Sequence, residues 1–183
     1  GPQLVKRLAH PNGWHRDTAA RLIYEQQKRT MIPALEKLAA DRAQPLGQIH
    51  ALWALRGLGA LKAGHVLGAL KNGTAAVRVQ AMQLAEDFVK DANVVRAVFA
   101  RVDNPNPDVL FQLALTASRF TASEEKSLAL AMALAHAKGD RWIEAAVMNA
   151  FNGDEELGEL FVSIHGAPSI THSARVEFLK LIG

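Results

Sequence analysis

The sequence of 183 residues contains no cysteine. This absence excludes disulfide bonds, thiol nucleophiles, haem attachment through C-x-x-C-H and zinc sites built on thiolates within the chain. Aromatic residues make up only 6%, and no apolar run reaches the ~18 residues that a membrane-spanning helix requires. The first residues also lack the basic and then apolar order of a signal peptide. The sequence therefore predicts no membrane insertion.

What the sequence does contain favours helices. Hydrophobic residues make up 49%, and 32 Ala and 23 Leu account for most of that share. Ala and Leu lose little rotamer freedom in a helix, whereas strands prefer β-branched and aromatic residues. The composition therefore predicts an all-α fold. The first two residues, Gly1 and Pro2, match the remnant that a protease leaves after tag removal and are predicted to be an expression scar.

A repeat runs through the chain. Six similar segments align on anchor positions that are 30 to 33 residues apart: Arg16, Gln48, Arg78, Leu110, Ile143 and Arg175. Three residues after each anchor stands a small or apolar residue: Ala19, Ala51, Ala81, Leu113, Ala146 and Phe178. Apolar residues at this spacing form one face of a helix. Each anchor helix is followed by a second helical stretch, so each period of about 32 residues predicts a helix pair.

Local start and stop signals set the helix bounds. The N-cap candidates include Asp91, Thr121 and Asp140, while Gly73 and Gly139 are predicted left-handed C-caps. The predicted helices are 3–10, 14–27, 31–42, 46–58, 62–71, 75–88, 91–102, 107–119, 122–137, 140–151, 154–164 and 172–182. This pattern predicts an α-solenoid of about five and a half repeats.

The unit Thr74 to Ala85, with Val77-Arg78 after a turn and then Ala81 and Leu84, resembles the first helix of a short HEAT repeat. The anchor Arg is replaced by Gln48, Leu110 and Ile143 in three units, which argues against a full ladder of Arg–Asp pairs. Both ends of the sequence fall inside a unit, and the C-terminal end is apolar rather than a polar cap. Residues 3–183 are therefore predicted to be a single HEAT-like domain excised from a longer protein.

A closer resemblance covers about residues 4–90. The stretch from Leu8 to Leu22, with Asn12-Gly13-Trp14-His15-Arg16-Asp17 inside it, is similar to the HEAT-repeat segment of large exported planctomycete and verrucomicrobial proteins described as membrane-bound dehydrogenases. Ile49 to Leu61 and Ala76 to Glu86 continue the resemblance. Those proteins carry a dehydrogenase-like β-propeller before the HEAT segment and a C-x-x-C-H cytochrome c domain after it. The resemblance implies a periplasmic or cell-envelope scaffold that joins these two domains.

The candidate cluster of binding or structural side chains has eight members: Asn12, Trp14, Arg16, Asp17, His50, Trp53, Arg56 and Arg78. Each has a structural interpretation that we favour over ligand binding. Asn12 is predicted to cap a helix, Trp14 to pack back on the preceding helix, and Arg16 to reach an Asp or a carbonyl of the adjacent unit. Trp53 is predicted to fill the space beside Ala51, Ala54 and Gly57; the alternative is an aromatic platform for a sugar or base.

No pattern for catalysis or metal binding stands out. None of the seven histidines forms an H-E-x-x-H pair, and Gly57-Leu58-Gly59 lacks the strand and the third glycine of a phosphate-binding loop, so it is predicted to end a helix. We find no nucleophile with a nearby base. The sequence therefore predicts neither a catalytic residue, nor a metal site, nor a cofactor within this chain.

Charge is distributed unevenly. Residues 1–90 contain 13 Lys or Arg and 6 Asp or Glu, a net charge of +7, and residues 91–183 contain 8 and 12, a net charge of −4. A basic half with Trp14 and Trp53 raises the alternative of a HEAT-like nucleic-acid-binding domain or alkylbase DNA glycosylase. The basic residues are not stacked at equivalent positions, so a solvated surface is the preferred interpretation. The favoured partners are therefore protein domains of the same parent chain or another protein.

Overall fold

The computed structural model describes residues 1–103 and 106–151, and ten single residues beyond them: 153, 158, 161, 162, 165, 166, 172, 175, 176 and 179. The described residues contain α-helices and short 3-10 helices and no β-strand. The α-helices are α1 (Pro2–Arg7), α2 (Gly13–Gln26), α3 (Ile32–Ala39), α4 (Pro45–Gly57), α5 (Ala63–Asn72), α6 (Ala75–Ala85), α7 (Ala92–Phe99), α8 (Pro107–Ala117), α9 (Glu124–Ala137) and α10 (Arg141–Met148). The 3-10 helices are Arg29–Met31, Glu86–Phe88 and Ala100–Asp103. The all-α prediction is confirmed.

Each of the first ten predicted helical stretches coincides with one α-helix of the structure, apart from differences at the ends. The observed ends differ from the predicted ends by at most three residues, because several predicted helices continue into turns or 3-10 segments. The stretches 154–164 and 172–182 lie mostly outside the described residues. The helical prediction for that part of the chain stays a prediction.

The capping signals are partly confirmed. The Asp91 carboxylate accepts hydrogen bonds from the amides of residues 93 and 94, and Asp140 does the same for residues 142 and 143. The prediction for Thr121 is wrong, because Ser123 caps α9 by accepting from the Lys126 amide at 3.1 Å. Gly73 is not a left-handed C-cap either, since its backbone is extended at φ −73°. Gly139 does have a positive φ of 84°, and it follows Lys138 at φ 51°.

The chain divides into two compact units, Gly1–Leu84 and Ala85–Gly183. The boundary falls inside the predicted single domain, and that prediction remains untested. In the first unit α3 packs on α4 and α1 packs on α2. In the second unit α10 packs on both α8 and α9. Each unit can therefore be described by its own core.

The predicted apolar row is buried in both units. The residues three positions after the first five anchors are exposed by 3% or less: Ala19, Ala51, Ala81, Leu113 and Ala146. Four of these five are alanines, and small side chains let neighbouring helices approach closely. Phe178, the sixth, lies outside the described residues. Leucines without exposed surface, such as Leu35, Leu55 and Leu110, fill the space around the row.

Candidate functional site

The candidate cluster begins at the start of α2. The Asn12 side chain accepts a hydrogen bond from the Trp14 amide at 2.9 Å, so Asn12 is the predicted N-cap. Trp14 itself is 68% exposed, and its ring meets the His15 ring edge to face at 5.1 Å. It is therefore not buried against α1 as the sequence suggested. The Trp14 side chain is largely in contact with solvent.

Arg16 connects three parts of the first unit. Its Nη1 donates to the carbonyl oxygens of His10 at 2.7 Å and Pro11 at 2.8 Å, just after α1 ends. Its Nε donates to His50 Nε2 of α4 at 3.2 Å. Arg16 thus reaches a carbonyl, as predicted, and links α2 to α4 through a residue of the same cluster. These contacts occupy the guanidinium with protein acceptors.

The same arrangement returns at the next two anchors. Gln48 Nε2 donates to the Ala39 carbonyl oxygen at 3.0 Å, at the end of α3, and Gln48 is only 4% exposed. Arg78 Nε donates to the Leu70 carbonyl oxygen at 3.2 Å, in the last turn of α5. Carbonyls in the last turn of a helix lack a partner within that helix and carry the negative end of its dipole. An N–H donor at each anchor satisfies one of them.

The position two residues after the anchor also repeats. His50 accepts from Arg16 Nε, and Gln80 Oε1 accepts from Trp53 Nε1 at 2.8 Å. In both cases the donor stands on the preceding anchor helix, so these bonds join α2 to α4 and α4 to α6. A partly buried indole N–H needs such a partner. The bond therefore favours the structural interpretation of Trp53.

Arg56 stands beside Trp53 on α4. Its guanidinium carbon lies 5.4 Å from the centroid of the Trp53 ring, within the range of a cation–π contact. The space at Gly57 is used by Tyr24 and not by Trp53, since a Cβ at Gly57 would lie 3.0 Å from Tyr24 Cδ2. Trp53 therefore does not fill the gap at Gly57, and its predicted packing beside Ala51 and Ala54 stays a prediction. The cluster separates into one group around Arg16 and His50 and another around Trp53.

Burial and neighbouring charges shift the pKa of His50. Burial lowers the pKa of its imidazole, the nearby Arg16 cation lowers it further, and Asp17 acts in the opposite direction. Because Arg16 Nε donates to His50 Nε2, this nitrogen carries a lone pair and the ring is neutral in this geometry. The arrangement keeps Nε2 of the His50 imidazole as a hydrogen-bond acceptor. It presents no nucleophile that this ring could activate.

Sequence reasoning missed a polar group formed by α3 and α5. Glu36 Oε1 lies 2.8 Å from Lys62 Nζ and 3.5 Å from His65 Nε2. The Lys62 amide donates to His65 Nδ1 at 3.1 Å, so His65 also caps the start of α5. The ion pair with Lys62 is the main cause that lowers the pKa of Glu36, while burial lowers the pKa of His65. Little in the sequence indicates this contact, because 26 residues separate Glu36 from Lys62.

A second polar group was also missed, in the unit of residues 85–183. Thr116 Oγ1 donates to Glu86 Oε1 at 3.2 Å and accepts from Gln112 Nε2 at 3.0 Å. Arg119 Nε lies 3.9 Å from Glu86 Oε2. Thr116 and Gln112 are buried, so these bonds satisfy polar groups within α8. The group is structural.

Within the residues that the structure describes, no set of three His, Asp or Glu side chains could hold a metal ion. None of the described helices combines the length and apolar character needed to cross a bilayer. Comparison with protein-family models, with curated proteins and with solved structures found no match to this chain. The function is therefore argued from the contacts above.

Proposed function

We propose that the chain is a non-catalytic scaffold of stacked HEAT-like helix pairs that binds other proteins or protein domains. The observation that carries the proposal is the repeated anchor contact. Arg16, Gln48 and Arg78 stand about one period apart. Gln48 and Arg78 donate to carbonyls in the last turn of the preceding helix, and Arg16 donates to two carbonyls just after α1 ends. Recurring contacts between successive helices support a repeat protein, because every unit of such a protein completes its core only against its neighbours.

The chemistry of the cluster supports a structural role. Seven of its eight side chains have partners within the first unit: Asn12, Trp14, Arg16, His50, Trp53, Arg56 and Arg78. A catalytic group has to meet its substrate with a free donor, acceptor or nucleophile. None of these contacts leaves a nucleophile beside a base. An interaction surface is therefore better supported than an enzyme.

The alternative, a nucleic-acid-binding HEAT domain, draws on the basic charge of the first half. Phosphate binding requires cations that are free to approach the backbone of the nucleic acid. Arg16 and Arg78 are bonded to carbonyls, and Lys62 is paired with Glu36. These contacts favour a protein partner over a duplex.

The family resemblance adds a setting to the proposal. A HEAT segment of an exported dehydrogenase-like haem protein would act in the periplasm or cell envelope. Its partners would be a β-propeller and a cytochrome c domain of the same parent chain. This chain would then position those domains and carry no cofactor of its own.

The test starts from the reading frame that encodes the sequence. Domains encoded beside it are expressed separately and titrated with residues 1–183 by biolayer interferometry. We expect saturable binding of at least one domain with a dissociation constant of about 1 µM to 100 µM, as transient interfaces between domains show. A frame without a propeller and C-x-x-C-H domain would reject the family setting. Absence of binding to every adjoining domain would reject the scaffold role.

A further inference from the structure

A groove of about 720 Å³ lies between α1 and α3. Its apolar wall includes Val5 and Ala9 of the α1 region and Ala34 and Leu38 of α3. Val5 is buried, whereas Ala34 and Leu38 are half-buried and open to the groove. The volume is within the range of about 300–1,000 Å³ typical of binding clefts. Apolar side chains of a partner could therefore be buried here.

Two lysines stand on opposite walls of this groove. Lys6 belongs to α1 and Lys37 to α3, and both are exposed. Among the described residues neither lysine has an ion pair, in contrast to Lys62 with Glu36. The one carboxylate that lines the groove, Asp41, accepts a hydrogen bond from the Ala43 amide. The groove thus has two ammonium groups without an ion pair and one carboxylate, a local excess of one positive charge that favours a negatively charged occupant.

The first unit, residues 1–84, carries a net positive charge, the same sign as Lys6 and Lys37. Residues 1–84 contain 12 Lys or Arg and 4 Asp or Glu, a net charge of +8, while residues 85–183 contain 9 and 14, a net charge of −5. The two values agree with the total of +3 for the chain. An excess of one sign raises the association rate of oppositely charged partners. The first unit therefore attracts acidic molecules.

A second, smaller cavity shares one lining residue with the groove. A space of about 200 Å³ lies between α3 and α5, and Ala40 lines both this space and the larger groove. Arg42 and His65 line the smaller cavity together with Glu36. An occupant that follows both would be elongated. This geometry fits a peptide segment better than a compact small molecule.

The lining also distinguishes a peptide from a nucleic acid. Binding of single strands depends on aromatic rings on which bases stack. The described residues that line the groove between α1 and α3 include no aromatic side chain, and six of the ten are apolar. The groove therefore favours acidic side chains combined with apolar ones.

We propose that the groove between α1 and α3 binds an acidic, amphipathic peptide segment of a partner protein. Apolar side chains of that segment pack on Ala34 and Leu38, and its carboxylates pair with Lys6 and Lys37. This inference rests on the proposed scaffold function, because it names the surface and the kind of partner for it.

The first test titrates residues 1–183 into a fluorescein-labelled peptide of about 14 residues that combines Leu at helical spacing with Glu at the other positions. The control peptide has the same Leu residues and Lys in place of every Glu. Fluorescence anisotropy should show that the acidic peptide binds at least tenfold more tightly than the basic one. Equal affinity for the two peptides, or no binding of the acidic peptide at about 1 mM protein, overturns the proposal.

The second test places the binding in the groove. The double variant Lys6→Glu/Lys37→Glu should weaken binding of the acidic peptide about tenfold or more. The matched control, Lys28→Glu/Lys71→Glu, changes the net charge equally at two exposed lysines outside the groove lining and should weaken binding less than threefold. Equal weakening by both double variants means diffuse attraction and overturns the proposal. Circular dichroism verifies that all variants remain helical.

A third variant separates packing from charge. Ala34→Arg adds bulk to the wall of the groove and also adds a positive charge. It should weaken binding of the acidic peptide, because the apolar side chains lose their space. Stronger binding would show that charge alone attracts the peptide and would contradict the proposal. Loss of peptide binding together with retained binding of an adjoining domain would reject this groove but leave the scaffold function standing.

Discussion

At the scale of single residues, Arg16, Gln48 and Arg78 donate hydrogen bonds to carbonyl oxygens at or just after helix ends. Gln48 is nearly buried, and its Nε2 donates to the last carbonyl of α3. The variant Gln48→Met keeps the volume and removes the donor, so the Ala39 carbonyl loses its side-chain partner in a buried place. We expect a loss of about 1–3 kcal/mol in the free energy of unfolding, measured in urea.

The control for Gln48→Met is Gln26→Met, which changes the same residue type at an exposed position in the last turn of α2. That change should stay within about 0.5 kcal/mol. A loss of equal size in both variants would mean that the contact of Gln48 with Ala39 contributes nothing specific. The hydrogen bond from Gln48 to the Ala39 carbonyl would then not stabilise the fold.

His50 gives the folded chain a dependence on pH. Burial and Arg16 lower the pKa of His50, so below about pH 6.5 the unfolded chain binds more protons at this residue than the folded chain does. The contribution of a neutral His50 is therefore full above that pH and is lost as pH falls. In addition, protonation removes the acceptor for Arg16 Nε.

The variant His50→Gln tests this sign. A Gln side-chain oxygen can accept from Arg16 but does not titrate, so the variant should lose less stability between pH 7.5 and pH 5 than the wild type does. Chemical unfolding at the two pH values measures both differences. His65, whose pKa is also lowered by burial, supplies part of the remaining dependence. An unchanged dependence in His50→Gln would show that His50 is not the titrating group.

At the scale of helices, glycines differ sharply in the space around them. A Cβ at Gly73 would lie 2.5 Å from Val77 Cγ1 and 2.6 Å from the Ala69 carbonyl oxygen, whereas a Cβ at Gly68 would meet nothing within 4 Å outside its own helix backbone. Gly68 lies inside α5, where alanine is the better helix former.

The pair Gly73→Ala and Gly68→Ala should therefore change stability in opposite directions. We expect Gly68→Ala to raise the free energy of unfolding by about 0.5–1 kcal/mol and Gly73→Ala to lower it by about 1–3 kcal/mol. Thermal and urea unfolding of both variants measure this. A stabilising Gly73→Ala would contradict the close approach of α5 to the start of α6.

Helix positions were largely predictable from the sequence, and contacts between helices were not. Caps such as Asp91 and Asp140 act within three residues, so composition and spacing locate them. The anchor register was predictable for the same reason, because it depends on a row of small residues within one helix. The Glu36–Lys62 pair and the exposure of Trp14 depend instead on how separate helices pack, which no local pattern records.

At the scale of the whole molecule, the charge asymmetry follows the structural boundary. The net charge changes from +8 to −5 at the boundary between residues 84 and 85. Whether a protein or a nucleic acid is the favoured partner depends on which basic side chains are already bonded within the protein. Arg16, Arg29 and Arg78 donate to backbone carbonyl oxygens within the first unit, and the exposed lysines are spread over several elements.

A gel-shift titration with a duplex of about 20 base pairs decides between the two partner classes. We expect weak retardation at low salt that disappears near 150 mM, because diffuse charge alone gives weak, non-specific binding. Lys62→Glu and Lys71→Glu should weaken this residual binding to a similar, small extent. Arg16→Glu is unsuitable, since it would break three hydrogen bonds that hold α2 in place. A complex that persists at 150 mM and depends steeply on salt and on Lys62 would favour the nucleic-acid alternative, because organised phosphate contacts, and not a solvated surface, would then explain the basic half.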